Sequence, residues 1–128
     1  MEQTFGTYIR QRRQARGLTL RGLAARVGLS PVYMSNIETD RRPAPSQEYL
    51  DKLAVELALG KDEVEQMLDL AARSRDQRVP ADLPDYIMER DIVRAALRTA
   101  KEADATDQEW QEFIDRINRR IAASKGGR

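Results

Sequence analysis

Apolar residues recur every three or four positions along most of this 128-residue chain, and that spacing limits its fold more than any other feature. The pattern begins at Phe5 and Ile9 and is still present at Ile117 and Ile121. Such spacing puts apolar side chains on one face of a helix, whereas a half-buried strand needs strict alternation, which no stretch shows. The sequence therefore predicts an all-α protein.

Glycines and hydroxyl-bearing residues divide the first part of the pattern into helices. Gly17 and Gly28 follow the first and second segments, where glycine commonly ends a helix. Thr19 and Ser30 precede the second and third segments, where a side-chain oxygen can accept from the unpaired amides of a first turn. The sequence thus predicts three short helices in succession.

Two more helices are predicted before the character of the sequence changes. Pro43 and Pro45 interrupt the periodicity, Ser46 begins a fourth helix, and Gly60 ends it. Apolar residues then mark a fifth helix, which brings the predicted five-helix domain to residues 1–72.

The rest of the chain is expected to form a linker, a hairpin and a tail. Residues 73–85 contain two prolines and little apolar content, which is typical of a linker. Residues 86–122 show two helical stripes and predict a C-terminal helical hairpin. Residues 123–128 are predicted to be a disordered tail.

Each predicted helix of the hairpin has one apolar stripe. The first stripe contains Tyr86, Val93, Leu97 and Ala100, and the second, after a capping box of Thr106 and Glu109, contains Trp110, Phe113, Ile114 and Ile117. A hairpin this small cannot enclose a sufficient core. Its stripes must be covered by residues 4–72, by a second copy of the chain or by a different protein. The proline-containing linker disfavours packing on residues 4–72, and DNA reading at two half-sites favours a second copy.

Composition excludes several classes of function. The chain has no cysteine and no histidine, so it lacks thiolate metal ligands and the commonest general base. It also has no glycine-rich phosphate loop and no nucleophile beside a base. We therefore expect no enzymatic activity, no metal and no cofactor. Because no apolar run approaches the roughly 20 residues that span a bilayer and no signal region is apparent, we expect a cytoplasmic protein without membrane contact.

The net charge of +1 hides a separation of charge along the chain. Residues 1–45 carry eight arginines against three acids, whereas residues 46–72 carry two lysines against seven acids. A basic block beside an acidic one is typical of a surface that binds a polyanion, although a solvated arginine-rich helix gives the same count.

The most specific pattern lies in Leu18–Glu38, LTLRGLAARVGLSPVYMSNIE. Ala24 is small enough for two helix axes to approach closely, and Gly28 can adopt the positive φ of a tight turn. The residues predicted to face inward are Leu23, Ala24, Val27, Leu29, Met34 and Ile37. Such spacing can hold the second helix at the angle needed to enter a DNA major groove.

This pattern resembles the lambda-repressor-like helix-turn-helix family, which includes phage repressors, Cro and Xre-type bacterial regulators. The matching residues are Ile9, Arg13, Gly17, Leu18, Thr19, Leu23, Ala24, Val27, Gly28, Ser30, Tyr33, Ile37, Glu38 and 41–43. The resemblance covers residues 4–72 and implies a five-helix, sequence-specific DNA-binding domain, usually dimeric on DNA. It also implies that Arg13 and Glu38 form a structural ion pair. Asp40 departs from the family, which often has glycine there, and aspartate adopts a left-handed conformation less easily.

The resemblance assigns base-reading roles to the outward face of a recognition helix that begins at Ser30. Pro31, Val32, Ser35 and Asn36 lie on this face. Asn36 can contact adenine through two hydrogen bonds, Val32 can pack on a thymine methyl group, and Ser35 can bond to either base type.

Further residues are expected to contact the DNA backbone. Ser30 and the first amides of the recognition helix favour a phosphate. Arg41 and Arg42 follow this helix, and Arg21 begins the second helix, so all three are candidate phosphate contacts. The Tyr33 hydroxyl is a further candidate, although its ring can instead pack against the fourth helix.

We therefore expect a DNA-binding transcriptional regulator, acting as a homodimeric repressor on a two-fold-related operator. An antitoxin or adaptor is the alternative: its hairpin, residues 86–121, would bind a partner protein while residues 1–72 regulate its own operon. The two differ in what covers the hairpin.

Overall fold

Eight helices and no strand lie within residues 3–75 and 79–126, the part of the chain that the computed structural model describes. The helices are α1 (Phe5–Ala15), α2 (Leu20–Val27), α3 (Pro31–Glu38), α4 (Gln47–Glu56), α5 (Lys61–Ser74), α6 (Pro84–Glu89), α7 (Asp91–Ala103) and α8 (Asp107–Gly126). The all-α prediction is confirmed. None of the described helices is both long and apolar enough to cross a membrane.

The chain divides into two units, Met1–Asp85 and Tyr86–Arg128. In the first unit α1 packs against α3 and α5, and α2 packs against α3 and α4. The second unit contains α7 and α8 with most of α6.

Local signals begin and end α2 and α3 as the sequence predicts. Thr19 Oγ1 accepts from the Gly22 amide at 2.9 Å, and Ser30 Oγ accepts from the Tyr33 amide at 3.1 Å. Gly28 ends α2 with φ 82°, a conformation that only glycine adopts at little cost.

The core of the first unit contains the predicted inward residues of α2 and α3. Those fully buried are Leu23, Ala24, Val27, Met34 and Ile37. Leu29 is half-buried and packs against the same core. Each fully buried large apolar side chain contributes about 1.5–3 kcal/mol, so this shared interior is what holds two eight-residue helices in place.

A buried ion pair joins α1 to the end of α3, as the family resemblance implies. Arg13 Nε donates to Glu38 Oε2 at 2.7 Å, and Arg13 Nη2 donates to Glu38 Oε1 at 3.0 Å. Glu38 is 5% exposed, and hydrogen bonding to it raises the pKa of the Arg13 guanidinium. Arg13 Nη1 also donates to the Leu18 carbonyl oxygen at 2.9 Å. Arg13 therefore belongs to the scaffold.

A second contact joins the turn after α3 to the beginning of α1. Asp40 adopts φ 62°, and its carboxylate accepts from Thr4 Oγ1 at 2.6 Å and from the Gly6 amide at 3.0 Å. These bonds satisfy donors that the first turn of a helix leaves free. A Cβ at Gly6 would lie 2.5 Å and 2.6 Å from the carbonyl oxygens of Ile37 and Glu38, so this approach requires glycine.

The predicted end of the fourth helix at Gly60 is wrong. The helix ends at Glu56, and Ala58 takes a left-handed conformation with φ 52°. Gly60 instead precedes α5 as its N-cap, and its amide donates to Glu63 Oε1 at 2.8 Å. The physical reason is a turn that closes the helix: the Leu59 amide donates to the Ala54 carbonyl oxygen and the Ala58 amide to the Val55 carbonyl oxygen, both at 3.0 Å.

The first stripe of the hairpin is interrupted, not continuous as its spacing suggests. Arg90 is extended, with φ −128° and ψ 109°, and separates α6 from α7. Arg94 Nη1 donates to the carbonyl oxygens of Ile87 at 2.8 Å and Met88 at 2.6 Å, and its guanidinium pairs with Asp91. One arginine of α7 thus satisfies carbonyls that the end of α6 leaves free.

The second helix of the hairpin begins as predicted and ends later. The Thr106 amide donates to Glu109 Oε1 at 2.9 Å, and Thr106 Oγ1 accepts from the Glu109 amide at 3.1 Å, which confirms the capping box. The helix continues to Gly126, so residues 123–126 of the predicted tail are helical. Residues 127–128 lie outside the described residues.

Replacing Arg13 by alanine is expected to destabilise the first unit by about 3–5 kcal/mol, because Glu38 would stay buried without its partner. Chemical denaturation measures this loss. Arg10→Ala on the same helix is the control, since Arg10 is exposed, and should change stability by no more than about 0.5 kcal/mol. Unchanged stability of Arg13→Ala would contradict its structural role.

Gly6→Ala is expected to lower stability by about 1–3 kcal/mol, because α1 would have to move away from the last carbonyls of α3. Gly60→Ala is the matched control, since its Cβ would meet nothing nearer than Glu63 Oε1 at 3.7 Å. Thermal unfolding of both variants tests this difference, and equal melting temperatures would show that the close approach at Gly6 is not required.

Candidate nucleic-acid interface

The outward face of α3 carries the residues predicted to read bases. Met34 and Ile37 of this helix are buried, which turns the opposite face to solvent. Val32 is 71% exposed, whereas Pro31, Ser35 and Asn36 are half-buried. The exposed face is small and almost uncharged, so it suits close approach to base edges more than attraction of phosphates.

The first turn of α3 presents a free backbone donor. Pro31 has no N–H, and the Tyr33 amide is taken by Ser30 Oγ, as described above. The Val32 amide has no acceptor among the described residues. The Ser30 hydroxyl keeps its own proton, because its oxygen acts as the acceptor of the cap. Both groups can donate to an anion at the positive end of the helix.

The turn after α3 folds back onto the helix and brings two arginines to its end. The amides of Arg41 and Arg42 both donate to the Asn36 carbonyl oxygen, at 2.9 Å and 3.1 Å. Both arginines are exposed, and neither forms a salt bridge with a described residue. Their backbone positions are therefore fixed relative to Asn36, while their side chains extend into solvent.

The remaining predicted contacts are exposed but are not tied to this turn. Arg21 lies in the first turn of α2, and none of the described hydrogen bonds joins its side chain to α3. Tyr33 is 37% exposed, and its hydroxyl has no partner among the described residues. That hydroxyl can therefore donate to a phosphate, while part of its ring contributes to packing.

Internal ion pairs use part of the basic block. Arg12 Nη1 lies 2.5 Å from Glu63 Oε2, and Arg26 Nη1 lies 3.2 Å from Glu56 Oε1. Both acids come from the acidic block, so some of the charge separation in the sequence is neutralised within the first unit.

Sequence reasoning missed the role of Asp40. Its carboxylate fixes the direction of the turn that carries Arg41 and Arg42, because both of its oxygens are bonded to the beginning of α1. The signal was an acidic residue at a position that favours glycine, directly before two arginines. Among the described residues, no group of three or more acidic, cysteine or histidine side chains could hold a metal.

Comparison with known proteins gives four findings. A family model described as a helix-turn-helix domain matches residues 4–78. A solved structure of SinR, the master regulator for biofilm formation, in complex with DNA is 32% identical and covers 52% of this chain and 100% of its own, with a TM-score of 0.46. A SinR protein/SinI protein complex is 23% identical and covers 93% of this chain and 99% of its own, with a TM-score of 0.48. No curated protein shows significant similarity to the chain.

Proposed function

Since the chain belongs to the helix-turn-helix family of DNA-binding transcriptional regulators, we propose that it acts as a homodimeric repressor on a two-fold-related operator. The observation that carries this proposal is the turn after α3, where the Asn36 carbonyl holds the amides of Arg41 and Arg42. Two arginines that form no salt bridge with a described residue thereby follow the end of the helix that carries the exposed recognition face.

Base reading is assigned to the outward face of α3. The Asn36 side chain contacts adenine through two hydrogen bonds, Val32 packs on a thymine methyl group, and Ser35 bonds to a neighbouring base edge. Pro31 contributes shape at the start of the helix. Val32 supports this assignment most directly, because an apolar side chain that is 71% exposed is covered once the helix enters the groove.

Phosphate contacts are assigned to residues around that face. The Ser30 hydroxyl and the Val32 amide bind one phosphate at the start of α3. Arg41 and Arg42 bind the backbone at its other end, and Tyr33 and Arg21 add further contacts. Such contacts fix the register of the helix in the groove and supply most of the salt-dependent affinity.

A second copy of the chain is proposed to cover the hairpin. No described residue of the second unit is buried, and its exposed large apolar residues are Tyr86, Met88, Ile92, Leu97, Trp110, Phe113, Ile114 and Ile121. Trp110 and Phe113 meet edge to face at 6.2 Å, which makes a rigid aromatic anchor for an interface. A dimer presents two α3 helices to half-sites about one helical turn apart.

Repression requires fewer interaction surfaces on the protein than activation does. A dimer that occupies an operator excludes other proteins from the same DNA, whereas activation requires a further surface that contacts polymerase. The same exposed hairpin supports the second candidate, an antitoxin or adaptor that binds a different protein there. Sedimentation of the purified chain distinguishes the two, since only the first predicts a stable homodimer.

The double variant Arg41→Ala/Arg42→Ala is expected to weaken binding equally on selected and random DNA. Each lost phosphate contact should reduce the slope of log affinity against log salt by about 0.9. Fluorescence anisotropy over a salt series measures this slope. The control is Arg10→Ala/Arg16→Ala, which removes the same charge from exposed positions of α1 and its C-cap.

In contrast, Asn36→Ala should relax the preference at one base pair, a loss of about 1–3 kcal/mol, and should leave the salt slope unchanged. Binding sites selected from randomised duplexes show which position changes. If Asn36→Ala loses as much affinity for random DNA as for selected DNA, the assigned role of Asn36 is wrong.

Phe113→Ser is expected to shift the full chain from dimer to monomer and to weaken operator binding, because it removes an exposed aromatic anchor. Glu112→Ala, next to it on α8, is the control and should leave the dimer intact. Truncation after Ala81, which removes α6–α8, should give a folded monomer. A truncated chain that dimerises as strongly as the full chain would refute the role of the hairpin.

A further inference from the structure

An open cleft of about 640 Å³ lies in the first unit, beside the turn that follows α3. It is bounded by the beginning of α1, the turn after α3 and the end of α5. Its volume falls within the range of small-molecule sites, roughly 300–1,000 Å³. Neither the sequence patterns nor the family resemblance assigns it a function.

The cleft is strongly basic. Four of its lining residues are arginines, namely Arg41, Arg42, Arg73 and Arg75. None of the four forms a salt bridge within the described part of the chain. The one acidic lining residue is Asp40, and both of its carboxylate oxygens already accept from α1. Phe5 and Leu70 also border the cleft, but their side chains are buried in the core, so the arginines dominate its surface.

Arg75 is fixed in position, and one nitrogen of its guanidinium has no partner among the described residues. Its Nε donates to the Ala44 carbonyl oxygen at 3.1 Å, while the Ala44 amide donates to Ser74 Oγ at 2.9 Å. Nη2 of Arg75 is buried without an acceptor among the described residues. Burial of a charged donor without a partner is unfavourable, and an anion held beside the guanidinium would offset that cost.

We propose that this cleft binds a small organic anion through its phosphate or carboxylate group. Arg73 and Arg75 hold that group. A concave site with a fixed guanidinium suits a free ligand better than the DNA backbone, which meets cations on an exposed surface. If the chain binds DNA as proposed above, the ligand competes with DNA, because Arg41 and Arg42 line the cleft.

Phenyl phosphate is the probe, titrated into the full-length chain at constant ionic strength and followed by the backbone amide resonances of Gly6, Ala44 and Arg75. Saturable shifts are expected. Arg73→Gln should weaken binding by about tenfold, the effect of losing one charge-assisted contact. Arg10→Gln, an exposed arginine outside the cleft, should not change it. Absence of saturable binding at millimolar concentrations, or equal weakening by both variants, overturns the proposal.

Arg75→Gln is the second variant, with its fold checked by thermal unfolding because Arg75 also bonds to Ala44. If it stays folded, it should weaken the probe at least as much as Arg73→Gln does. Retained affinity in a folded Arg75→Gln overturns the assigned role of Arg75.

A DNA-binding experiment distinguishes the two possible sources of the anion, a free ligand and the DNA backbone. Saturating phenyl phosphate should weaken binding of a selected duplex by the native chain, at matched ionic strength, and should do so less for Arg73→Gln. Unchanged DNA affinity overturns the competition. If Arg73→Gln loses as much DNA affinity as Arg41→Gln while no free anion binds, the cleft receives a DNA phosphate and the small-ligand proposal fails. If the chain binds no DNA, the proposed function fails while the titration still tests the cleft.

Discussion

The buried ion pair between Arg13 and Glu38 fixes the helix on which the whole interface depends. At eight residues α3 is too short to be stable alone, so its orientation comes from contacts with the rest of the first unit. The Arg13 guanidinium holds both oxygens of Glu38 and also the Leu18 carbonyl, so one side chain joins α1, the turn before α2 and the end of α3. Because Glu38 is buried, a displacement of α3 that separated it from Arg13 would leave its carboxylate charge unpaired in an apolar interior. The pair therefore opposes movement of the recognition face.

The same end of α3 couples the scaffold to the site. Asp40 caps the beginning of α1, and the next two amides bind the Asn36 carbonyl. Asp40 therefore fixes where the chain leaves α3 and where Arg41 and Arg42 begin. A change at Asp40 would loosen α1 and move both cations at once, so its effects on stability and on DNA affinity should be inseparable. A residue that appears from the sequence to be a poor substitute for glycine thus has a positive role.

Features that depend on a few neighbouring residues could be predicted from the sequence, and those that depend on distant contacts could not. The caps at Thr19 and Ser30 and the turn at Gly28 follow from local backbone chemistry. The Arg13–Glu38 pair was available only through family resemblance, because helical spacing says nothing about residues on different helices. The early end of α4 has Ala58 in the left-handed conformation, where the sequence has no glycine to indicate it. The arginines of the cleft lie about thirty positions apart in the sequence, and they come together where Ala44 bonds to the end of α5.

The charge of each sequence segment does not show which arginines are available to bind an anion. Arg12 and Arg26 face acids of the neighbouring segment, whereas Arg41, Arg42, Arg73 and Arg75 surround one cleft beside the end of α3. The outward face of α3 itself carries little charge. The proposed base contacts and the proposed phosphate contacts therefore lie on different residues. Because Arg41 and Arg42 also line the cleft, the proposed small anion would change DNA affinity without altering which sequence is read. That separation is what a regulator needs if its response is to change while its target stays the same.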